Sequence, residues 1–196
     1  MMSLGLQRLF YCIKISEMKQ FLISIWEILE TVIIAAVTVF LIRTYLVQPF
    51  LVSGASMEPN VDNGNYLIID ELSKQFKEFE RGDIVVFRYP GDLKTFYIKR
   101  IIGLSGERVR ISGGDIYDNN ERLEENYLPE GTRTFGNVDL VVGPDEYFVL
   151  GDNRDNSFDS RSWGPLVKEN ITGIARLRLF PIQDITVFDR PLYVTN

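Results

Sequence analysis

The feature that most constrains this chain is a long apolar stretch near its N-terminus. Residues 28–47 read ILETVIIAAVTVFLIRTYLV, and no charged side chain lies between Thr31 and Ile42. About 20 apolar residues in helical form are enough to cross the hydrocarbon core of a bilayer. The stretch therefore predicts a membrane-spanning helix over residues 28–47, which Pro49 ends.

Two other kinds of segment have a similar apolar composition, a buried core helix and a cleaved signal peptide. A buried core helix is disfavoured because such helices seldom stay apolar on every side for so long. A cleaved signal peptide is disfavoured because the span is long and no small-residue cleavage site follows it. The segment MKQFLISIWEILE, which begins at Met18, resembles a natural protein start. This suggests that translation starts at Met18 and that residues 1–17 were assigned to the protein in error. The intact mass of the native protein would test this hypothesis.

The charges beside the span predict its orientation. Arg8, Lys14 and Lys19 precede it, whereas Arg43 is the only cation immediately after it. Lysine and arginine are enriched on the cytoplasmic side of membrane helices. We therefore expect residues 1–27 in the cytoplasm and a domain over residues 48–196 outside.

After Pro49 the sequence changes to short runs of β-branched and aromatic residues, separated by turn residues. Only Glu71–Phe79 has a helical pattern, and it is weak. The fold class is therefore mainly β: an antiparallel domain behind a single N-terminal transmembrane helix. The predicted strands are Tyr66–Asp70, Asp83–Tyr89, Thr95–Gly103, Glu107–Ser112, Tyr147–Gly151 and Gly173–Pro181.

The absence of histidine and the presence of a single cysteine exclude several kinds of catalytic and metal-binding site. The chain has no histidine, which excludes Ser-His-Asp and Cys-His catalysis and His-ligated metal sites. Its one cysteine, Cys12, excludes an intramolecular disulfide and a thiolate zinc site. The net charge of −6 and the lack of a basic cluster make nucleic acid an unexpected partner. A hydrolase built from this chain must use Ser, Thr, Lys, Asp, Glu or Tyr.

Two adjacent cations lie within the predicted strand TFYIKRIIG. Successive strand side chains point to opposite faces, so Lys99 and Arg100 each lie among apolar neighbours on different faces. Burial lowers the pKa of a lysine, and a neutral amine can act as a general base, whereas an arginine stays charged. The alternative is a lysine that extends to solvent or pairs with a carboxylate.

Two further segments are candidates for chemistry. LVSGASMEP, residues 51–59, has small residues that allow close approach of a substrate and turn amides that can face an oxyanion. An ordinary linker is its alternative. Residues 150–165 are dense in Asp, Asn, Arg and Ser, which a capped loop or a calcium site would also explain. Arg154 and Arg161, and the lack of a closing Glu, disfavour calcium.

Together these motifs resemble those of the type I signal peptidases (leader peptidases), which are membrane-anchored serine proteases with a Ser-Lys dyad. Four motifs occur in the family's order between Phe50 and Ile174. They are SGASMEP, RGDIVVFRYPGD, YIKRIIGLSGERV and GDNRDNSFDSRSWGPL.

The resemblance implies a role for each matching residue. Ser56 matches the nucleophile, Lys99 the general base, and Ser157 the serine that hydrogen-bonds and orients the lysine. The oxyanion hole would use the backbone N–H of Ser56. Some members add a serine hydroxyl two positions earlier, where this chain has Gly54, so the second donor stays open.

Other matching residues would support the site or bind substrate. Asp159 and Arg161 match a structural salt bridge, Asp152 is expected to meet Arg100, and Asn153 belongs to the same supporting loop. Four residues match positions that line shallow pockets for small residues at −1 and −3 of the cleavage site: Phe50, Val52, Met57 and Ile98.

The family fold implies coiled antiparallel sheets with a small β subdomain inserted at about residues 108–142. The expected function is removal of signal peptides from secretory preproteins at the outer surface of the plasma membrane, without a cofactor or metal. The expected partners are those preproteins and the lipid bilayer. Two alternatives are a self-cleaving Ser-Lys repressor of the SOS response and a membrane-anchored β domain without catalysis. The anchor and the lack of a basic module disfavour the first, and intact Ser56, Lys99 and Ser157 disfavour the second.

Overall fold

A computed structural model of the chain describes residues 3–45, 47–191 and 193, with side chains described for residues 18–40, 49–191 and 193. It contains two compact units, one over residues 1–44 and one over residues 45–196. The side chains of Cys12, Arg8, Lys14 and Arg43, and residues 1–2, lie outside the described part. The expectations on orientation and on the start of the chain therefore stay predictions.

The first unit is one helix, α1, from Ser3 to Tyr45. Its segment Met18–Phe40 is apolar and long enough to cross a membrane once, and none of that segment is buried. The apolar part of the helix begins earlier than the predicted 28–47 span, and Val47 already belongs to a strand. Pro49 lies inside that strand rather than ending the helix. An edge strand tolerates proline because the missing N–H is not needed for pairing.

The second unit is built from β-strands. They are β1 (Val47–Leu51), β2 (Tyr66–Asp70), β3 (Ile84–Tyr89), β4 (Asp92–Gly103), β5 (Arg108–Ser112), β6 (Asp115–Asp118), β7 (Glu121–Arg122), β8 (Val138–Val141), β9 (Glu146–Leu150), β10 (Leu166–Val167), β11 (Ile171–Phe180) and β12 (Thr186–Val187). Short helices are α2 (Ser73–Phe76), α3 (Ser160–Trp163) and two 3-10 turns, Lys168–Asn170 and Ile182–Asp184.

The strands form two antiparallel sheets. The larger has the order β1-β2-β11-β3-β4-β9-β10, with β12 paired to β11, and the smaller has the order β7-β6-β5-β8. The mainly β, antiparallel fold class is confirmed. The smaller sheet spans Arg108 to Val141, within the range expected for the inserted subdomain. Each of the six predicted strands has a counterpart whose ends differ by at most three residues.

The predicted helix over Glu71–Phe79 is a single turn, Ser73–Phe76. Asp70 starts this turn by accepting hydrogen bonds from the N–H and hydroxyl of Ser73. Lys77 is already extended, and Phe79 is buried in the core. Burial of Phe79 therefore takes the chain out of the helix after one turn.

Three apolar clusters form the core of this unit. One lies around β3, β4 and β9 and includes Val85, Phe87, Ile101 and Val149. A second joins the smaller sheet to β4 and β9 through Ile102, Val109, Ile111 and Phe148. The third lies beneath the segment after β1 and contains Val52, Met57, Leu67, Ile84 and Val86. Strand β4 contributes to all three, so its side chains are fixed on both faces.

Candidate active site

Lys99 lies on β4, which pairs with β3 in unbroken register from Phe96 to Arg100. Its side chain is buried, and Nζ donates to Ser56 Oγ at 2.7 Å and to the carbonyl oxygen of Ile98 at 2.8 Å. Burial lowers the pKa of Lys99 from 10.5 to about 8, against the opposing influence of the Asp159 and Asp152 carboxylates. The amine can therefore lose its proton at mildly alkaline pH while it faces a hydroxyl.

Ser56 lies in the turn that follows β1. Gly54 has φ +112° in this turn, a conformation that other residues rarely adopt, and its N–H donates to Asn63 Oδ1 at 2.9 Å. In the part of the chain that the structure describes, the N–H of Ser56 donates to no other group. This amide is free to receive a hydrogen-bond acceptor beside the hydroxyl.

The loop after β9 packs directly on the turn that contains Gly54, Ala55 and Ser56, which we call the nucleophile turn. The N–H of Asn153 donates to the carbonyl oxygen of Ser56 at 3.1 Å, and Nδ2 of Asn153 donates to that of Ala55 at 3.0 Å. Gly151 has no room for a side chain, because a Cβ there would collide with the carbonyl oxygen of Ser56 and with Ser157. The loop and the turn are therefore in backbone contact.

Ser157 lies beside Gly151 at the edge of this contact. Its Oγ is buried and has no hydrogen-bond partner among the residues that the structure describes. The two acceptors of the Lys99 amine are Ser56 and Ile98. Orientation of the lysine by Ser157 therefore stays a prediction.

Arg100 lies on the opposite face of β4 from Lys99. Its Nε and Nη2 donate to the two carboxylate oxygens of Asp152 at 2.9 and 2.6 Å, and both side chains are buried. Nδ2 of Asn60 donates to the same carboxylate at 2.9 Å. Asn60 follows the nucleophile turn, so Asp152 links β4, the turn and the loop after β9.

Asp159 fixes the shape of the same loop. Its fully buried carboxylate accepts from the N–H of Gly151 at 3.1 Å and from Nε of Arg161 at 2.8 Å. Nη2 of Arg161 also donates to the carbonyl oxygen of Arg154 at 2.7 Å. The segment is thus closed on itself by charged hydrogen bonds, which are stronger than neutral ones.

A cleft of about 260 Å³ opens beside Ser56 and Lys99. Three of the four predicted pocket residues line it, namely Phe50, Val52 and Ile98. Met57 does not: its side chain is 1% exposed and packs in the core cluster with Val52. The turn that brings Ser56 into the cleft places its neighbour Met57 in the core instead.

The structure adds several residues to the predicted site. Asn60 and Asn63 tie the nucleophile turn in place, and aromatic side chains complete the cleft. Tyr97 lies two positions before Lys99, so the period of a strand could have identified it. No sequence signal identifies the partners contributed by loops. Leu51 and Ser53, which also line the cleft, lie in the candidate segment 51–59; the cleft residues that were not predicted are Leu67, Val86, Phe96, Tyr97 and Phe158.

The described residues contain no group of three or more Cys, Asp or Glu side chains placed to hold a metal ion. What the site does contain is a hydroxyl, a buried amine and a free backbone N–H around one cleft. Such a set can deprotonate a nucleophile and stabilise an oxyanion during acyl transfer.

The chain is similar in sequence to known signal peptidases. The family model for signal peptidase, peptidase S26, matches residues 25–180. Signal peptidase I P of Bacillus subtilis subsp. natto is 38% identical over 172 residues, which cover 83% of this chain and 92% of that protein. A probable signal peptidase I-2 of Synechocystis sp. is 39% identical and covers 80% of this chain and 73% of that protein. A crystal structure of a signal peptidase I from Enterococcus faecalis is 31% identical with a TM-score of 0.45, over 50% of this chain and 97% of that one.

Proposed function

The chain belongs to the signal peptidase family, peptidase S26, and we propose that it is a serine endopeptidase that removes signal peptides from secretory preproteins. In this proposal Ser56 is the nucleophile and the neutral amine of Lys99 is the general base. The observation that carries this proposal is the 2.7 Å hydrogen bond between Lys99 Nζ and Ser56 Oγ, made by a buried amine. The residues that surround the pair and the cleft beside it support the same assignment.

In the first step Ser56 Oγ attacks the scissile carbonyl while the neutral amine of Lys99 takes the hydroxyl proton. The carbonyl oxygen becomes an oxyanion, and the free N–H of Ser56 donates to it. The N–H of Gly54 is held by Asn63, so Gly54 contributes the shape of the turn rather than a second donor. The Lys99 ammonium then gives its proton to the leaving amine as the peptide bond breaks.

The second step hydrolyses the acyl-enzyme. Lys99, neutral again, takes a proton from a water molecule whose oxygen attacks the ester carbonyl. The ammonium then returns the proton to Ser56 Oγ as the ester bond breaks, which restores the starting hydroxyl. One amine therefore acts as base and acid in both steps, and Asn153 holds the loop against the turn that carries Ser56.

The cleft supports binding of an extended peptide that ends in small residues. Alternate side chains of an extended chain point the same way, so the residues at −1 and −3 would enter the cleft together. Its volume of about 260 Å³ is shared by both residues. Phe50, Val52 and Ile98 would then form the walls that these two side chains contact.

Membrane anchoring fits the substrate, because a preprotein also carries an apolar signal segment in the bilayer. Tethering enzyme and substrate to one membrane raises their effective concentration. We propose a cytoplasmic N-terminus, one span by α1, and a catalytic unit outside, with residues 108–142 as an inserted subdomain. Cleavage would then take place at the outer membrane–water interface of the plasma membrane.

The function is tested with a preprotein that carries Ala-x-Ala before its mature start. The wild-type chain in vesicles should release the mature protein, and Ser56→Ala and Lys99→Ala should not. Lys94→Ala is the matched control, because Lys94 is an exposed lysine on the same strand, and it should cleave normally. Full activity of Lys99→Ala would rule out the dyad, and no cleavage by wild type would rule out the function.

Orientation is tested separately with the single cysteine, Cys12. A membrane-impermeant maleimide added to intact cells should leave Cys12 unlabelled. It should label Glu130→Cys in a Cys12→Ser background, since Glu130 is exposed on the β unit. The reverse pattern would place the β unit in the cytoplasm.

A further inference from the structure

Residues 123–136, which join β7 to β8 in the smaller sheet, contact the loop that holds the nucleophile turn. Nη1 and Nη2 of Arg154 donate to the two carboxylate oxygens of Glu125 at 2.6 and 2.5 Å. The Arg154 side chain is 1% exposed and that of Glu125 is 14% exposed. Arg154 is adjacent to Asn153, so this ion pair lies one residue from the contact with Ser56.

Tyr127 of the same segment contacts both sides of the site's supporting network. Its hydroxyl accepts from Nη2 of Arg154 at 3.0 Å, and its ring lies 4.2 Å from the guanidinium carbon of Arg100. Its carbonyl oxygen accepts from Nδ2 of Asn60 at 3.1 Å, and this amide also donates to Asp152. Tyr127 therefore contacts Arg100 on β4 and Asn60, which follows the nucleophile turn.

Further contacts fix the far end of the segment. The buried hydroxyl of Thr134 accepts from Nη1 of Arg154 at 2.5 Å, and the carbonyl oxygen of Phe135 accepts from Nη1 of Arg161 at 3.1 Å. Arg154 also folds back onto its own loop, because its Nε donates to the carbonyl oxygen of Gly151 at 3.0 Å. The segment thus meets three arginines that organise the loop.

The chemistry of Arg154 makes Glu125 the important partner. A buried guanidinium keeps its charge, and removal of its carboxylate leaves that charge uncompensated. Among the residues that the structure describes, Glu125 is the one carboxylate in an ion pair with Arg154. Without it, Arg154 would move toward water and pull on Gly151, which has no free space against Ser56.

We propose that Glu125 and Tyr127 are positioning residues for the peptidase reaction. They hold Arg154 and Arg100, and through these the loop that carries Asn153 and Ser157 against the nucleophile turn. This inference rests on the proposed function. Neither residue lines the cleft, so both act on the rate of acyl transfer rather than on substrate binding.

The test compares Glu125→Gln with Asp139→Asn in full-length enzyme in vesicles. Asp139 makes a bidentate ion pair with Arg108 in the same small sheet, but that pair is exposed. Misplacement of a catalytic group by about 1 Å costs roughly 10²-fold in rate, so we expect Glu125→Gln to lower kcat by about 10- to 100-fold with an unchanged KM. Asp139→Asn should match wild type.

Two further measurements separate positioning from a general loss of stability. Amide hydrogen exchange across residues 151–158 should be faster in Glu125→Gln and unchanged in Asp139→Asn. In an Arg154→Met background, Glu125→Gln should lose most of its effect on kcat, because the guanidinium is gone and the hydroxyl of Tyr127 is the hydrogen-bond partner left to residue 125. Tyr127→Phe, which keeps the ring under Arg100, should lose less activity than Tyr127→Leu.

The outcomes distinguish this inference from the proposed function. If wild type cleaves, Ser56→Ala does not, and Glu125→Gln keeps wild-type kcat and loop exchange, the inference is wrong and the function stands. The same holds if Glu125→Gln lowers only the thermal midpoint, or if its loss of kcat is undiminished in the Arg154→Met background. A wild-type chain that cleaves no preprotein overturns both.

Discussion

Asn153 and Ser56 are joined through their main chains, because the N–H of Asn153 donates to the carbonyl oxygen of Ser56. The side chain of Asn153 repeats this contact one residue earlier, at Ala55. With both carbonyl oxygens held by one residue, the peptide unit that carries the Ser56 N–H cannot rotate freely. The position of the oxyanion donor therefore depends on a residue 97 positions away in the sequence.

Replacement of Asn153 by alanine removes the hydrogen bond to Ala55 and keeps the one from its backbone. We expect a fall in kcat of about 10-fold or more, because loss of a positioned oxyanion donor alone costs about 10²- to 10³-fold. Asn153→Asp should be worse, since a carboxylate would face a carbonyl oxygen. Asn156→Ala, at an exposed position in the same loop, is the control. Preprotein cleavage under saturating substrate measures the effect, and equal rates for Asn153→Ala and Asn156→Ala would contradict it.

The rate of cleavage should depend on pH through Lys99. The reaction needs the neutral amine, and burial lowers the pKa of Lys99 to about 8. We therefore expect kcat/KM to rise with pH up to about pH 8 and then to level off. Initial rates between pH 6 and 10 measure this. An acid limb near the ordinary lysine value of 10.5 would mean that the amine is not buried in the active enzyme.

Lys99→Met should abolish cleavage and yet make the β unit more stable at pH 7. The folded state lowers the pKa of Lys99, so below about pH 8 folding keeps a charged amine buried at a cost. A change from 10.5 to about 8 corresponds to about 3 kcal/mol as an upper value. The gain should shrink as pH rises from 8 to 10.5, where the wild-type amine becomes neutral in the unfolded chain as well.

Denaturant unfolding of both proteins at pH 7 and pH 10, followed by the β-sheet circular dichroism signal, measures this difference. A Lys99→Met protein that is less stable than wild type at pH 7 would show that the hydrogen bonds of the amine outweigh its burial.

A methyl group at residue 151 should inactivate the enzyme. A Cβ on Gly151 would lie 2.6 Å from the Cβ of Ser157 and would also collide with the backbone of Ser56. Backbone cannot move aside as a flexible side chain can, so Gly151→Ala should separate the loop from the nucleophile turn. Gly143→Ala is a matched control, because the three atoms nearest to its added Cβ all belong to the flexible side chain of Glu146. Cleavage assays on both should show activity for Gly143→Ala alone.

The strands were predictable because their apolar and β-branched residues alternate or cluster between turn residues. The run around Val85 and the run around Ile101 are such cases, and both lie in the core. The expected contact between Arg100 and Asp152 is present in the structure, and the family motifs suggested it. Apart from β5, the strands of the smaller sheet have two to four residues and carry too little pattern to be read individually.

The loop contacts could not be predicted in the same way. Glu125 and Tyr127 reach Arg154 from a segment without periodicity, and the pairs are 29 and 27 positions apart. Nothing local to Glu125 distinguishes it from the neighbouring Glu124, which is also acidic. Only the folded chain specifies which carboxylate meets the guanidinium. For Met57 the family motif suggested a role that the fold does not give it. Its position in the motif implied a residue of the substrate pocket, but the turn places its side chain in the core.

Strand β4 also determines where the chain can change in length. Register irregularities lie near Tyr89, beside the β3–β4 hairpin, and near Gly103, before the smaller sheet. Insertions or deletions beyond either point can be absorbed there without rotating the strand between them. A slip of one residue inside it would turn Lys99 away from Ser56 and set there either the permanently charged guanidinium of Arg100 or the apolar side chain of Ile98, according to the direction of the slip. Homologous chains should therefore vary in length on both sides of this strand and keep an invariant spacing within it.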